Sequence, residues 1–442
     1  MDLSTSSRWL PAHRREELRW LAKRSHQVVT LAAITGAITG LVVAGFDRLV
    51  VDVALDRVLR LPTWLLGTLP GLGLLVALAA RHFIGGGVSP ATADEYLHSF
   101  HDPAHELGWR ALAGRMAAAV ATLGSGAPMG LEGPSLYVGA TIGSQSQRRF
   151  ARTFRDSDHR VLLVAGAAAG VSAIFKAPAT GAVFALEVPY RGDLARRMLL
   201  PALVASATGY LVFVAINGTH ALLPIDATPG FSLRDLVGAA LLGVIAGIGA
   251  RGFSWMLRWA KRLASSRHAL VITIVAGVAI GGLFAVGRAL TDDSLVLGSG
   301  YRVLAWVADP TRSAWLLIAV LALRCLATSA TVAGGGVGGL FIPLVVAGAI
   351  TGSLVGGIIN SPDLDLFIVI GVAAFLGAGY RVPLAAVMFV AETTGRPSFV
   401  VPGLIAAVAA ELIMGHSSIT AYQVDPEISR RPDSDVHLNR RW

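Results

Sequence analysis

Two stretches of the chain repeat each other at a constant distance, and this duplication constrains the fold more than any other feature. Gly166–Val188 aligns with Gly371–Thr393 at an offset of 205 residues. Phe175 meets Tyr380, Lys176 meets Arg381, Pro178 meets Pro383, Phe184 meets Phe389 and Glu187 meets Glu392. Upstream, Gly124–Ser144 aligns with Ala333–Ser353 at an offset of 209. There Gly126, Gly130, Leu131, Pro134, Gly139, Ala140, Gly143 and Ser144 match Gly335, Gly339, Leu340, Pro343, Gly348, Ala349, Gly352 and Ser353. Arg115 and Arg324 share the same offset. Low-complexity apolar sequence gives scattered identities, but not charged, aromatic and proline positions matched in order. Duplication in an apolar chain places a substrate site where the two halves meet.

The chain is apolar enough to need a bilayer. Of 442 residues, 54% are hydrophobic and 15% charged, and apolar runs recur along almost the whole length. A soluble protein of this size has too little interior for that surface. The 50 glycines lie mostly inside these runs, where they let helix backbones approach closely. Several runs, including 135–143 and 178–188, fall short of the ~20 residues that cross a bilayer as helix. Short segments interrupted by Gly and Pro are the sign of discontinuous helices at a transport site.

Charge and cysteine exclude other classes. The net charge of +9 is carried by Arg far more than Lys, and much of it sits at the ends. Arg8, Arg14, Arg15, Arg19, Lys23 and Arg24 lie near the start; Arg430, Arg431, Arg440 and Arg441 lie at the tail. This reads as positive-inside topology with both termini cytoplasmic, not as nucleic-acid binding. Residues 8–24 also suit a short surface helix, with Trp9, Leu10, Leu18, Trp20 and Leu21 on its apolar side. A single cysteine, Cys325, rules out a disulfide framework and argues against structural zinc. The first apolar run is too long for a secretory signal and lacks a small-residue cleavage site. Histidines form no recognisable nucleophile or metal spacing, so an intramembrane hydrolase is a poor reading. No cofactor is expected.

The glycine-rich breaks carry the chemistry. Glu132 sits in Gly130-Leu-Glu-Gly-Pro134, ahead of an apolar helix. Pro134 suits a first helical turn, and free N–H groups at a helix start favour an anion. A carboxylate there is either an anion-site occupant whose displacement or protonation opens a path, or a cap on a helix start. The depth of an ionisable group favours function. The second-half counterpart, Gly334-Gly-Gly-Val-Gly-Gly-Leu-Phe-Ile-Pro343, has the same architecture and no acid. Its N–H groups near Leu340, Phe341 and Ile342 face an anion, or its glycines serve helix packing. Gly85-Gly-Gly-Val-Ser-Pro90 is a third such break, equally readable as a turn with an N-cap.

These segments resemble the CLC family of chloride channels and proton-coupled chloride exchangers, over roughly residues 28–423. The family's GSGIP, G-K/R-EGP and GxFxP motifs correspond to Gly86-Gly-Val-Ser-Pro90, Gly130-Leu-Glu-Gly-Pro134 and Gly339-Leu-Phe-Ile-Pro343. The resemblance implies an all-α polytopic membrane protein, with two inverted-topology repeats whose broken helices meet at a central anion site. It implies residues 1–27 as a cytoplasmic amphipathic segment, repeats over 28–230 and 231–423, and a basic cytoplasmic tail over 424–442. It implies a homodimer in the plasma membrane with one anion path per subunit. Glu132 becomes the gate, and Gly130, Gly133, Leu340 and Phe341 become anion-site residues.

Departures from the family pattern are specific. The pore serine falls on Gly87, with Ser89 two residues later. Leu131 replaces the basic residue before the gate. The second glutamate that follows Glu187 in proton-coupled members is Val188 here, so the usual internal proton donor is missing. Glu187 itself has the plain role of a buried helix-end contact. The pore tyrosine aligns with Thr420, while Tyr422 lies two residues on, and the choice between them is open. Lys176 and Arg381 either concentrate anions in a cytoplasmic vestibule or snorkel at helix ends. The leading expectation is a chloride channel or uncoupled porter. A proton-coupled chloride or fluoride exchanger and a porter of small organic substrates are the alternatives.

Overall fold

The computed structural model describes residues 12–151, 154, 158–219, 232–359 and 363–425, with side chains from His26 onward. The proposed surface helix of residues 8–24 lies partly outside them; from Ala12 the backbone continues directly into the first long helix. The basic tail beyond residue 425 and the junction at residues 230 and 231 also lie outside the described residues.

Helices make up the described chain, with two isolated bridges as its β pairing. The first half holds α1 (Ala12–Arg48), the single turn α2 (Asp56–Val58), α3 (Thr63–Ala79), α4 (Thr92–His101), α5 (Trp109–Gly124), α6 (Glu132–Arg149), α7 (Val161–Phe175), α8 (Pro178–Glu187) and α9 (Leu199–Asn217). The second holds α10 (Leu233–Ala264), α11 (Ala269–Thr291), α12 (Tyr301–Val307), α13 (Ala314–Ala333), α14 (Phe341–Ile358), α15 (Leu364–Tyr380), α16 (Pro383–Thr394) and α17 (Val400–Met414). Eight helical spans among the described residues are long and apolar enough to cross a bilayer. α7, α8, α15 and α16 are shorter, as the sequence predicts. α6 differs from its 135–143 apolar run: polar Gln145, Gln147, Arg148 and Arg149 carry the helix on toward an aqueous end.

Local chemistry sets the breaks. Lys176 and Arg381 end α7 and α15 in left-handed conformations, with φ of 55° and 59°. Ala177 and Val382 follow, kept out of helix by the prolines after them, and Pro178 and Pro383 open α8 and α16. The short helices sit in the middle. α7 and α15 are buried almost all round, while the outer helices turn Leu41, Trp64, Leu72, Val278, Trp315 and Leu412 outward. An apolar exterior around an apolar centre is the signature of a lipid-facing fold. Glycines let the central helices touch: a Cβ on Gly139 would meet the Gly166 carbonyl, and one on Gly348 would meet that of Gly371.

Reciprocal contacts reveal a pseudo-two-fold axis. Glu187, ending α8, accepts from the Leu384 and Ala385 amides that open α16, at 3.1 and 2.8 Å. Glu392, near the end of α16, accepts from the Ala179 and Thr180 amides that open α8, at 2.9 and 2.6 Å. The two helices are therefore antiparallel. α6 and α14 likewise meet head to head at their N-termini. An axis that reverses helices crossing a membrane lies in the membrane plane, so the halves have inverted topology.

These caps satisfy helix-start N–H groups that the helices themselves leave without acceptors. Replacing Glu392 by alanine leaves two amides and the Thr180 hydroxyl, which donates to it at 2.6 Å, without their acceptor. The expected loss of stability is about 3 kcal/mol, with a smaller loss for Glu392→Gln. Unfolding in detergent measures it; a variant as stable as the parent would remove the capping role.

Candidate anion site

Glu132 is the first residue of α6, and its carboxylate crosses to the other half of the molecule. Oε1 accepts from the Phe341 amide at 2.6 Å and the Ile342 amide at 3.2 Å, both in the first turn of α14. Oε2 has no protein donor, and the residue is 4% exposed. The positive end of α14 thus holds a negative group that the first half supplies.

Glycine makes that crossing possible. Gly130 and Gly339 form a two-bond antiparallel bridge, with N–H to O distances of 3.0 and 2.7 Å. A Cβ on either would run into the Glu132 carboxylate, and one on Gly133 would meet the Gly338 carbonyl. Positive φ at Gly126 and Gly335, 89° and 74°, turns each chain from the end of one helix toward this bridge. Thr122 and Thr328 tie the loops across the halves, through the Val337 amide and the Pro128 carbonyl.

A cavity of about 390 Å³ leads to the same place. Gly338, Gly339, Leu340 and Tyr380 line it, as do Ser89, Thr420 and Tyr422. Arg258, Lys261 and Arg262 from the end of α10 also line it, with Asp94 and Glu95 of α4. Lys261 pairs with Asp94 at 2.6 Å and donates to the Ile419 carbonyl at 2.7 Å. Asp94 in turn accepts from the Ala421 amide at 2.9 Å, and Arg258 donates to the Ser418 carbonyl at 3.0 Å. These contacts fasten the 418–421 segment as a wall. With three cations against two acids, the lining favours an anionic solute.

The sequence candidates are distributed unevenly around this geometry. Glu132, Gly130, Gly133, Leu340 and Phe341 come together. Ser89 lines the cavity, but its hydroxyl donates to Glu95 at 2.9 Å. Gly87 is not among the lining residues; with φ of 85° it turns the chain instead. Thr420 and Tyr422 both line the cavity. The Thr420 hydroxyl shares a 2.9 Å bond with Ser418, and the Tyr422 ring stacks on His98 at 4.5 Å. Glu187 uses both oxygens on α16, and Val188 is buried beside it at the end of α8.

Lys176 lies near Asp47, and Arg381 forms an ion pair with Glu411 at 2.8 Å. Sequence reasoning missed Arg258, Lys261 and Arg262, whose signal was a basic cluster in the last two turns of α10. It also missed Tyr380, read there only as the repeat partner of Phe175.

A family model described as "Voltage gated chloride channel" matches residues 72–415. The chain is 26% identical over 407 residues to the H(+)/Cl(-) exchange transporter ClcA of Citrobacter koseri, covering 87% of this chain and 85% of that protein. It is 26% identical over 424 residues to the protein of the same name from Salmonella newport, covering 90% and 88%. Among solved structures, a CLC-type fluoride/proton antiporter aligns with a TM-score of 0.79 at 22% identity, covering 90% of this chain and 98% of that one. A slow cyanobacterial Cl-/H+ antiporter aligns at 0.76 and 21%, covering 88% and 94%. At these identities the structural likenesses speak for the fold.

Proposed function

The chain belongs to the voltage gated chloride channel family, and from that premise we propose that it carries chloride through a path gated by Glu132, without coupling to protons. Membership makes it a multi-pass anion transport protein rather than an enzyme. The observation that carries the finer reading is the Glu132 carboxylate on the α14 N-terminus. A carboxylate and a chloride ion compete for the same amides. Protonation or rotation of Glu132 releases the Phe341 and Ile342 N–H groups to an anion arriving from the cavity. Binding by backbone dipoles, without a full counter-charge at that point, leaves the anion free to go on.

The case against coupling rests on the inner side. Val188 offers no proton, and both oxygens of Glu187 are committed to α16. Between Glu187 and Glu132 stand Phe184, one turn earlier on α8, and Phe341, their rings 5.6 Å apart. Phe175 and Phe389 pack on Phe341 at 4.2 and 5.0 Å. These four phenylalanine rings carry no proton donor or acceptor; Tyr380, edge-on to Phe184 at 5.3 Å, carries a hydroxyl.

This reading includes repeats over 28–230 and 231–423, a homodimer with one path per subunit, and residence in the plasma membrane. It makes the face bearing Arg258, Lys261, Arg262 and Arg381 cytoplasmic, along with both termini, because bases accumulate on that side. The basic cavity then opens inward.

The names of the relatives favour a second reading, proton-coupled exchange of chloride or fluoride. Halide and proton fluxes measured together in reconstituted vesicles decide between them. The expected result is chloride efflux down its gradient with no uphill proton movement, and fluoride flux no greater than chloride. Uphill proton uptake in fixed ratio to chloride would overturn the uncoupled reading. Fluoride flux far above chloride would overturn the choice of ion.

A further inference from the structure

Of the hydroxyls expected beside the inner anion, two already meet side-chain partners. Ser89 is bonded to Glu95, and Thr420 to Ser418. Tyr422 lies flat against His98, which stacks in turn on His105 at 3.8 Å. A dehydrated anion at the Leu340 end of the cavity still needs donors to offset its lost water.

Tyr380 stands there. It is the last residue of α15, 3% exposed, and it shares the cavity wall with Gly339 and Leu340. Its backbone carbonyl accepts from Gln423 at 2.7 Å, which fixes the helix end. Phe184 meets its ring edge-on at 5.3 Å, and Phe341 lies at 6.3 Å. The ring is therefore held from two sides before any ligand arrives. Leu340, whose neighbour Phe341 donates its amide to Glu132, lines the same wall. A phenol at that wall carries a proton it can donate to an anion.

We propose that Tyr380, from the end of α15, supplies the side-chain donor of the inner anion site, acting with the Leu340 amide just inside the Glu132 carboxylate. The donor role that the sequence leaves undecided between Thr420 and Tyr422 belongs to neither. It has moved to another helix, where a rigid aromatic surround aims it. This rests on the anion-transport reading above and names the residue that recognises the ion. A preoriented O–H suits small halides, whose charge is concentrated, more than large polarisable anions.

Tyr380→Phe tests it, because the ring and its aromatic contacts stay. Chloride binding by the detergent-solubilised protein, measured calorimetrically, should weaken about tenfold, the loss of one hydrogen bond to a charged group. Discrimination between chloride and a larger anion such as iodide should shrink in vesicle flux. Thr420→Val and Tyr422→Phe should each leave chloride affinity within about twofold of the parent. An unchanged melting temperature for Tyr380→Phe would separate lost binding from lost structure. Parent-like affinity in Tyr380→Phe would overturn the proposal and leave chloride transport standing, as would a tenfold loss in Thr420→Val alone. Failure of the unmodified protein to bind or carry any halide would overturn both.

Discussion

Replacing Glu132 by alanine is expected to raise chloride flux at neutral pH on the order of tenfold and to abolish its pH dependence. The closed arrangement is held by two bonds from amides to a carboxylate, each of a kind that contributes about 1.5–3 kcal/mol. Removing the side chain shifts the balance between occupied and vacant amides by at least one such bond, and about 1.4 kcal/mol is a tenfold change. In the parent, a protonated carboxyl holds the α14 amides more weakly than a charged one. Flux should therefore rise as pH falls through the titration of Glu132 and level off below it. Glu132→Gln keeps the shape and loses the charge, so its flux at neutral pH should match that of the parent in acid. Vesicle flux across a pH series reads all three. Parent-like pH dependence in both variants would remove Glu132 from the gate.

Gly339→Ala should have the second largest effect, in the opposite direction. The added methyl would overlap the Glu132 carboxylate and lie 2.6 Å from the Gly133 nitrogen. A side chain can rotate away, but the backbone nitrogen of a helix start cannot. The two loops must separate, breaking the Gly130–Gly339 bridge and pulling the α6 and α14 N-termini apart. Overpacking of this kind costs about 3 kcal/mol, before the two lost hydrogen bonds are counted. Flux should fall at least tenfold, and the protein should melt earlier in detergent. The double variant with Glu132→Ala separates the causes. If the methyl acted only by displacing the carboxylate, the double variant would conduct like Glu132→Ala; the clash with Gly133 predicts that it stays impaired.

Both expectations depend on contacts between residues about 209 positions apart, and this separates what was legible early from what was not. Gly126 and Gly335, Pro178 and Pro383, and Lys176 and Arg381 mark helix ends in the sequence because each acts locally. A positive φ, a missing N–H and a residue held out of helix before proline are properties of two or three neighbouring residues. The duplication itself announced that Glu187 and Glu392 are partners in role, and each does cap the other's helix.

The basic cavity and Tyr380 were not legible in the same way. Arg258, Lys261 and Arg262 end an ordinary long helix, and nothing local says that its last turns face α4 and the 418–421 wall. Lys176 and Arg381 are equivalent in the repeat, yet nothing local says that one meets Asp47 and the other Glu411.

The duplicated halves, the bilayer as solvent, the helix breaks and the acid at position 132 were determined by sequence alone. Each follows from composition, from period or from the conformational limits of Gly and Pro. Only the tertiary structure decided that the Glu132 carboxylate sits on α14 and not on its own helix. It also decided that Glu187 is bound to a helix start, and that a tyrosine from α15 stands beside Leu340. Where a side chain ends up across an interface depends on the mutual rotation and distance of whole helices. Those are fixed by close contacts such as Gly139 on Gly166 and Gly348 on Gly371, summed over the molecule, and no short window of sequence contains them.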